Sequence, residues 1–211
     1  MKPAFVLLSA LFLTGPYSKA LAQADQPTAI RKLAPSAFVM IGGTYTGVGS
    51  NGSATHRHGG KNVALTAGAN LGFLSFGHFM LGAEVRGSYP LDRGHIVGEK
   101  SILGGARMTY ETGGLIRPYV DGLFGRGQMN YQDGGYKLLT PSGFTLGYSQ
   151  TATNIYDFGG GLEFDVFRQI SLKADVQAQH WNTPVIANGS VWSGQASIGA
   201  AYRFGAGQGP R

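Results

Sequence analysis

Residues 157–166 read Asp157-Phe158-Gly159-Gly160-Gly161-Leu162-Glu163-Phe164-Asp165-Val166, and this stretch decides the fold. Asp157, Gly159, Gly161, Glu163 and Asp165 fall on one parity. Phe158, Gly160, Leu162, Phe164 and Val166 fall on the other, with Tyr156 just before them. A period of two puts successive side chains on opposite faces of a strand. The stretch is therefore a strand with one polar and one apolar face. After a two-residue turn at Arg168-Gln169 the pattern returns, with Ser171, Lys173, Asp175, Gln177 and Gln179 against Ile170, Leu172, Ala174, Val176 and Ala178. It returns again near the end. There Ser193, Gln195, Ser197, Gly199, Ala201 and Arg203 oppose Trp192, Gly194, Ala196, Ile198, Ala200, Tyr202 and Phe204.

Five further segments follow the same rule toward the N-terminus, at 37–47, 62–73, 79–89, 100–110 and 117–131. Thr44 and Thr46, Thr66 and Asn70, Glu84 and Arg86, and Arg107 and Thr109 mark the polar faces of the first four. The fifth begins with Tyr119 and Asp121 against Val120. Its parity then slips, because Arg126, Gln128 and Asn130 take the opposite phase. A bulge within 122–125 would restore the phase. Alternatively, the outer part of this strand lies beyond a membrane, where polar residues face outward. Short connections near 74–78, 111–116 and 167–169 alternate with long ones near 48–61, 90–99, 132–150 and 182–190. Eight strands with elaborated loops on one rim describe an all-β, eight-stranded antiparallel up-and-down transmembrane β-barrel.

A soluble barrel of lipocalin type also alternates, with its apolar face inward. Composition chooses between the two. Charged residues make up 13% of the 211, about half the usual share, too few for an ordinary wetted exterior. The polar faces hold the acids Glu84, Asp121, Asp157, Glu163, Asp165 and Asp175 and the bases Arg86, Arg107, Lys173 and Arg203. Near balance suits a closed interior in which charges pair. The apolar faces carry Tyr45, Tyr89, Tyr110, Trp192, Tyr202 and Phe204 near strand ends, as the interfacial aromatics of a membrane barrel would be. Trp181 is placed with them, beside His180 at the outer rim.

The N-terminus reads as an export signal. Lys2 precedes an apolar run from Ala4 to Leu13, too short to cross a bilayer as a helix. Small-residue sites then predict cleavage after Ala22 or Ala24. The expected organisation is a signal at 1–24, a periplasmic extension at 25–35, the barrel at 36–204 and a tail at 205–211. The whole chain carries a formal +6; Lys2 and Lys19 leave with the signal and no acid does, so the mature chain carries +4. Without a basic block, nucleic acid is not an expected partner. With no cysteine there is no disulfide scaffold, thiolate metal site or cysteine nucleophile.

Other motifs point to little chemistry. The glycines of 122–127 precede no helix and so make no phosphate cradle. His56-Arg57-His58 lies in a long loop without an acid to complete a metal site; no metal or cofactor is expected. His180 with Ser190 or Ser193 would allow ester hydrolysis on lipid, but no acid stands ready to orient the imidazole. The inward charges read as a salt-bridged plug, or as a gated ion path if a pair exchanges partners. The apolar residues of loop 132–150, Tyr136, Leu138, Leu139, Phe144 and Tyr148, offer contact to an extracellular ligand.

Arg117-Pro118-Tyr119-Val120, Gly159 through Phe164, Gln179-His180-Trp181 and Ala201-Tyr202-Arg203-Phe204 occur in an order and spacing that resemble the OmpA/OmpX-like small outer-membrane barrels, a porin-like family. The resemblance spans about 36–204. It implies a barrel in outer-membrane lipid, a structural, adhesive or channel role, and a terminal signal at Tyr202 and Phe204 read by the barrel-insertion machinery. Seven residues, Gly205 through Arg211, follow the Phe that ends such signals in the family, and the peptidoglycan-binding domain of some relatives has no counterpart.

Overall fold

The computed structural model describes residues 33–47, 60–91, 97–131, 136–139, 142–143, 145–184 and 189–205. Eight strands form the barrel: β1 (Ala34–Thr46), β2 (Gly60–Phe76), β3 (Phe79–Pro90), β4 (Val97–Tyr110), β5 (Ile116–Tyr131), β8 (Gln150–Asp165), β9 (Ile170–Asn182) and β10 (Ser190–Arg203). Two short strands, β6 (Tyr136–Leu139) and β7 (Thr145–Tyr148), pair as a separate hairpin inside the connection from β5 to β8. The barrel closes in the order β1-β10-β9-β8-β5-β4-β3-β2, and every pair is antiparallel. Closure leaves no unpaired sheet edge. The seam runs from Ser36 opposite Arg203 to Thr46 opposite Ser193. β1 starts two residues earlier than the barrel boundary expected at 36.

The short connections are built from local turn chemistry. Gly77, between β2 and β3, takes a φ of 59°, which a side chain would oppose. Between β4 and β5 the Thr112 hydroxyl donates to Ile116 O at 2.6 Å and accepts the Gly114 N–H at 3.1 Å. The strand ends joined by the long connections, Thr46 and Gly60, Pro90 and Val97, Tyr131 and Gln150, Asn182 and Ser190, lie at the opposite end.

The irregularity expected in β5 is absent. β5 pairs without a break with β4 from Tyr119 to Tyr131 and with β8 from Ile116 to Asn130. The phase never slips; the chemistry of the two faces exchanges instead. Beyond Gly122, buried Leu123, Met129 and Tyr131 face the lumen, and Arg126 faces outward. Of the two readings of the slip, polar residues turned outward is the one observed. The barrel's register shift lies between β2 and β3, at Gly72 and Leu74.

Trp181 is a second correction. It does not belong to the outer aromatics: it is 0% exposed and points into the lumen, in phase with Lys173, Asp175, Gln177 and Gln179. A Trp has room there because Gly127 lies across from it. A methyl on Gly127 would come within 2.6 Å of the Trp181 Cη2.

Candidate functional site

The lumen is filled in two layers. The first begins at the short-turn end and consists of charges linked hand to hand. Arg203 Nη2 lies 2.6 Å from Asp165 Oδ1. Arg117 Nη2 donates to the same oxygen at 3.0 Å and to Glu163 Oε2 at 2.8 Å. Arg107 donates to Glu163 Oε1 at 2.5 Å, to Glu84 Oε2 at 3.1 Å and to Asn70 Oδ1 at 3.1 Å. Its guanidinium stacks 3.7 Å above the Tyr119 ring. Arg86 then takes the centre, bonded to Glu84, to Asp121 Oδ2 at 3.0 Å and to Asp175 Oδ1 at 3.2 Å. Tyr119 donates its hydroxyl to Asp175 Oδ2 at 2.5 Å. Lys173 Nζ sits 3.7 Å from Glu84 Oε2 and 3.7 Å from the Phe38 ring centre.

Glu84, Arg86, Arg107, Asp121, Glu163, Lys173 and Asp175 are thus one connected network, tied to Asp165 and Arg203 through Arg117. Asp157 stands apart from the cations and accepts from Gln179 Nε2 at 3.0 Å. Arg117 and Tyr119 are functional members that the sequence reading did not assign to the network. Parity alone would have found them, since both are in phase with Asp121. β8 makes room for this crowd by omitting side chains: a methyl on Gly161 would sit 2.6 Å from the Tyr119 Oη.

The second layer is apolar and lies toward the long loops. Leu103, Leu123, Met129, Tyr131, Ile155, Trp181 and Val191 form one buried cluster, with Tyr148 of β7 packed against it. Trp181 Nε1 donates to Gln179 Oε1 at 3.2 Å, so Gln179 joins this layer to Asp157. Tyr131 Oη pairs with Thr183 Oγ1 at 2.9 Å. Glu99 reaches across the lumen, where its Oε2 accepts the Ser193 hydroxyl at 2.8 Å. No cation pairs with Glu99 among the described residues. At the short-turn mouth a cavity of about 50 Å³ is lined by Ser36, Asn70, Arg107 and Arg117.

The exterior is apolar between two aromatic belts. At the long-loop end Phe124, Tyr156, His180 and Trp192 form a ladder, with ring centres 5.2, 6.4 and 5.0 Å apart in turn, and Tyr45 and Tyr89 are exposed at the same end. At the other end Phe76, Phe79 and Tyr110 stack, and Tyr202 meets Phe204 at 5.1 Å. Between the belts Val39, Ile41, Val85, Val120, Leu172, Val176 and Ile198 are exposed. Trp192 and Tyr202, like Phe79 and Tyr89, are ten residues apart on one strand. That is about 33 Å of strand, or about 25 Å of height at a tilt of about 40°.

His180 and the two candidate serines are not brought together. Ser193 faces inward on Glu99 while His180 faces outward between Tyr156 and Trp192, so the two are on opposite sides of the wall. No hydrogen bond joins His180 to Ser190 among the described residues. In the loop hairpin, Tyr136 pairs in register with Tyr148 and Leu138 with Leu146, while Leu139 pairs with Thr145. Tyr148 is half-buried against the apolar layer, which removes part of it from partner contact. Phe144, His56-Arg57-His58 and the expected signal lie outside the described residues.

No protein-family model matches the chain, and no curated protein matches it by sequence. Solved structures do. Neisserial surface protein A is 13% identical, with a TM-score of 0.55, over 81% of this chain and 99% of that one. Ail of Yersinia pestis, solved with the heparin analogue sucrose octasulfate, is 14% identical over 81% of this chain and 99% of its own, with a TM-score of 0.43. The N-terminal barrel domain of Pseudomonas aeruginosa OprF is 14% identical over 81% and 97%, with a TM-score of 0.41. The fold is that of the small eight-stranded outer-membrane barrels.

Proposed function

We propose that this chain is a bacterial outer-membrane barrel with a shut lumen, whose role is structural or is exercised through the surface at its long-loop end. The observation that carries the reading is the inversion of the two faces: aliphatic side chains are exposed between aromatic belts, while the strand acids turn inward. A height of about 25 Å between belts agrees with the apolar band of such barrels. In water that exterior would be a very large apolar patch. In this reading the chain is exported by a signal cleaved after Ala22 or Ala24. The insertion machinery then reads Tyr202 and Phe204, which face outward at the short-turn end.

The two lumen layers support a plug over a pore, and the placement of Ser193 and His180 on opposite sides of the wall speaks against ester hydrolysis by that pair. Refolded protein should run at a shifted apparent size in detergent gels before boiling. In planar bilayers it should show no steady conductance. A steady conductance in the unaltered protein would favour the narrow channel for ions or small solutes instead.

A further inference from the structure

Where the two lumen layers meet, three buried oxygens have no donor. Gly159 of β8 stands in register between Asp121 of β5 and Gln177 of β9, all on the inward parity. Asp157 is the adjacent inward position on β8, about 6.6 Å along the strand, and lies diagonal to Asp121 and Gln177. A methyl on Gly159 would collide with the Gln177 amide, so that amide occupies the space over the glycine. Gln177 Nε2 donates to Asp121 Oδ2 at 3.2 Å and to Asp175 Oδ2 at 3.1 Å. The reverse orientation would set the amide oxygen against two carboxylates, so Oε1 is fixed as an acceptor over Gly159. Asp121 Oδ2 also takes Arg86, and Asp157 Oδ2 takes Gln179. Asp121 Oδ1, Asp157 Oδ1 and Gln177 Oε1 remain, and none of them has a hydrogen-bond partner among the described residues. Asp157 is 0% exposed and Gln177 1%.

The charges around this junction are also one cation short. Ion pairs join Arg86, Arg107, Arg117, Lys173 and Arg203 to five carboxylates. Asp157 is the sixth acid of the layer, and no ion pair reaches it among the described residues. A buried carboxylate without compensation is costly, and each orphaned acceptor adds to the cost. A water molecule has two hydrogens for three oxygens and no charge to offset the sixth acid. One small cation meets both needs, since hard cations take carboxylate and amide oxygens. A divalent ion would overshoot by one charge, and no group of three or more His, Asp or Glu suited to one occurs among the described residues. We propose that the Gly159 junction binds one sodium ion, held by Asp121 Oδ1, Asp157 Oδ1 and Gln177 Oε1. The inference rests on the shut lumen of the reading above and adds a resident ion to it.

The test uses the mature chain refolded into phosphatidylcholine vesicles and unfolded in urea, which brings no competing cation. The folded fraction is read from migration before boiling. Chloride salts of sodium and of N-methylglucamine, a cation too bulky for the junction, are compared at equal ionic strength and neutral pH. For a dissociation constant of about 10 mM, about 100 mM sodium raises the folding equilibrium constant about tenfold over the bulky cation. Asp157→Asn keeps the shape of the side chain and removes its charge, and should narrow that ratio to below about twofold. Glu111→Gln, which alters a carboxylate in the short turn between β4 and β5, should keep the full ratio. Equal stability of the unaltered protein in the two salts overturns the proposal without needing any variant. So does Asp157→Asn with the ratio intact, or Glu111→Gln with the ratio lost. A chain that shows no shift on heating has not folded in lipid and defeats the membrane reading itself; a folded one indifferent to sodium defeats only this inference.

Discussion

Arg86→Met is the perturbation that tests the charge layer hardest. Glu84, Asp121 and Asp175 bond to this one guanidinium, and their side chains are 0–1% exposed. Methionine replaces the aliphatic stem but not the guanidinium, so the lost charge dominates and a small void adds to it. Removing one partner of a buried ion pair costs about 3–5 kcal/mol, because the remaining charge stays buried without compensation. Three carboxylates share the loss here, so the upper part of that range, about 4–5 kcal/mol, is expected. In guanidinium unfolding of the lipid-reconstituted barrel, followed by the gel shift on heating, this is a midpoint lower by about 1 M at a slope of about 4 kcal/mol per molar. Adding Asp121→Asn and Asp175→Asn removes two of the orphaned charges and should recover at least half of the loss. A single-variant loss below about 1 kcal/mol would refute the reasoning. So would a triple variant less stable than the single one.

The other predictions concern separate parts of the wall and lumen. Trp181→Ala should cost about 3–5 kcal/mol in the same unfolding assay, as expected for a fully buried Trp. It should leave bilayer conductance near zero, since the charge layer remains intact; a large conductance would show that Trp181 alone closes the lumen. Arg107→Ala breaks the charge layer and, combined with Trp181→Ala, should open a measurable conductance; a silent double variant would contradict the two-layer account. Glu99 is buried with no cation beside it among the described residues and accepts the Ser193 hydroxyl. Glu99→Gln removes the charge and keeps an acceptor, so it should not lower stability; a loss above about 1 kcal/mol in the same assay would contradict this reading.

Strand alternation made β8, β9 and β10 legible because their polar and apolar faces differ along nearly the whole length. β5 misled because hydropathy marks a face only while the surroundings stay the same. Past Phe124 the outside becomes polar and the inside is filled by Leu123, Met129 and Tyr131, so the signal inverts with no change in the backbone. Trp181 was misplaced by residue type: tryptophan suggests a membrane interface, but its parity with Gln177 and Gln179 assigned it to the lumen. The register shift at Gly72 and Leu74 left no trace because no polar residue there marks the phase. The partners of each charge were not legible at all. They depend on which strands face one another across the lumen, as Arg86 of β3 faces Asp175 of β9.

The two tryptophans test the central claim directly, because the chain has only these two, at positions 181 and 192. Trp181→Phe and Trp192→Phe each leave one emitter in the reconstituted barrel. The measurement is fluorescence in phosphatidylcholine vesicles whose acyl chains carry bromine, compared with vesicles of the unbrominated lipid. An apolar exterior with a packed lumen predicts that Trp192 loses more than half of its emission, about what direct lipid contact implies, while Trp181 is nearly unaffected. Strong quenching of Trp181 with Trp192 untouched would mean that the wall is turned the other way.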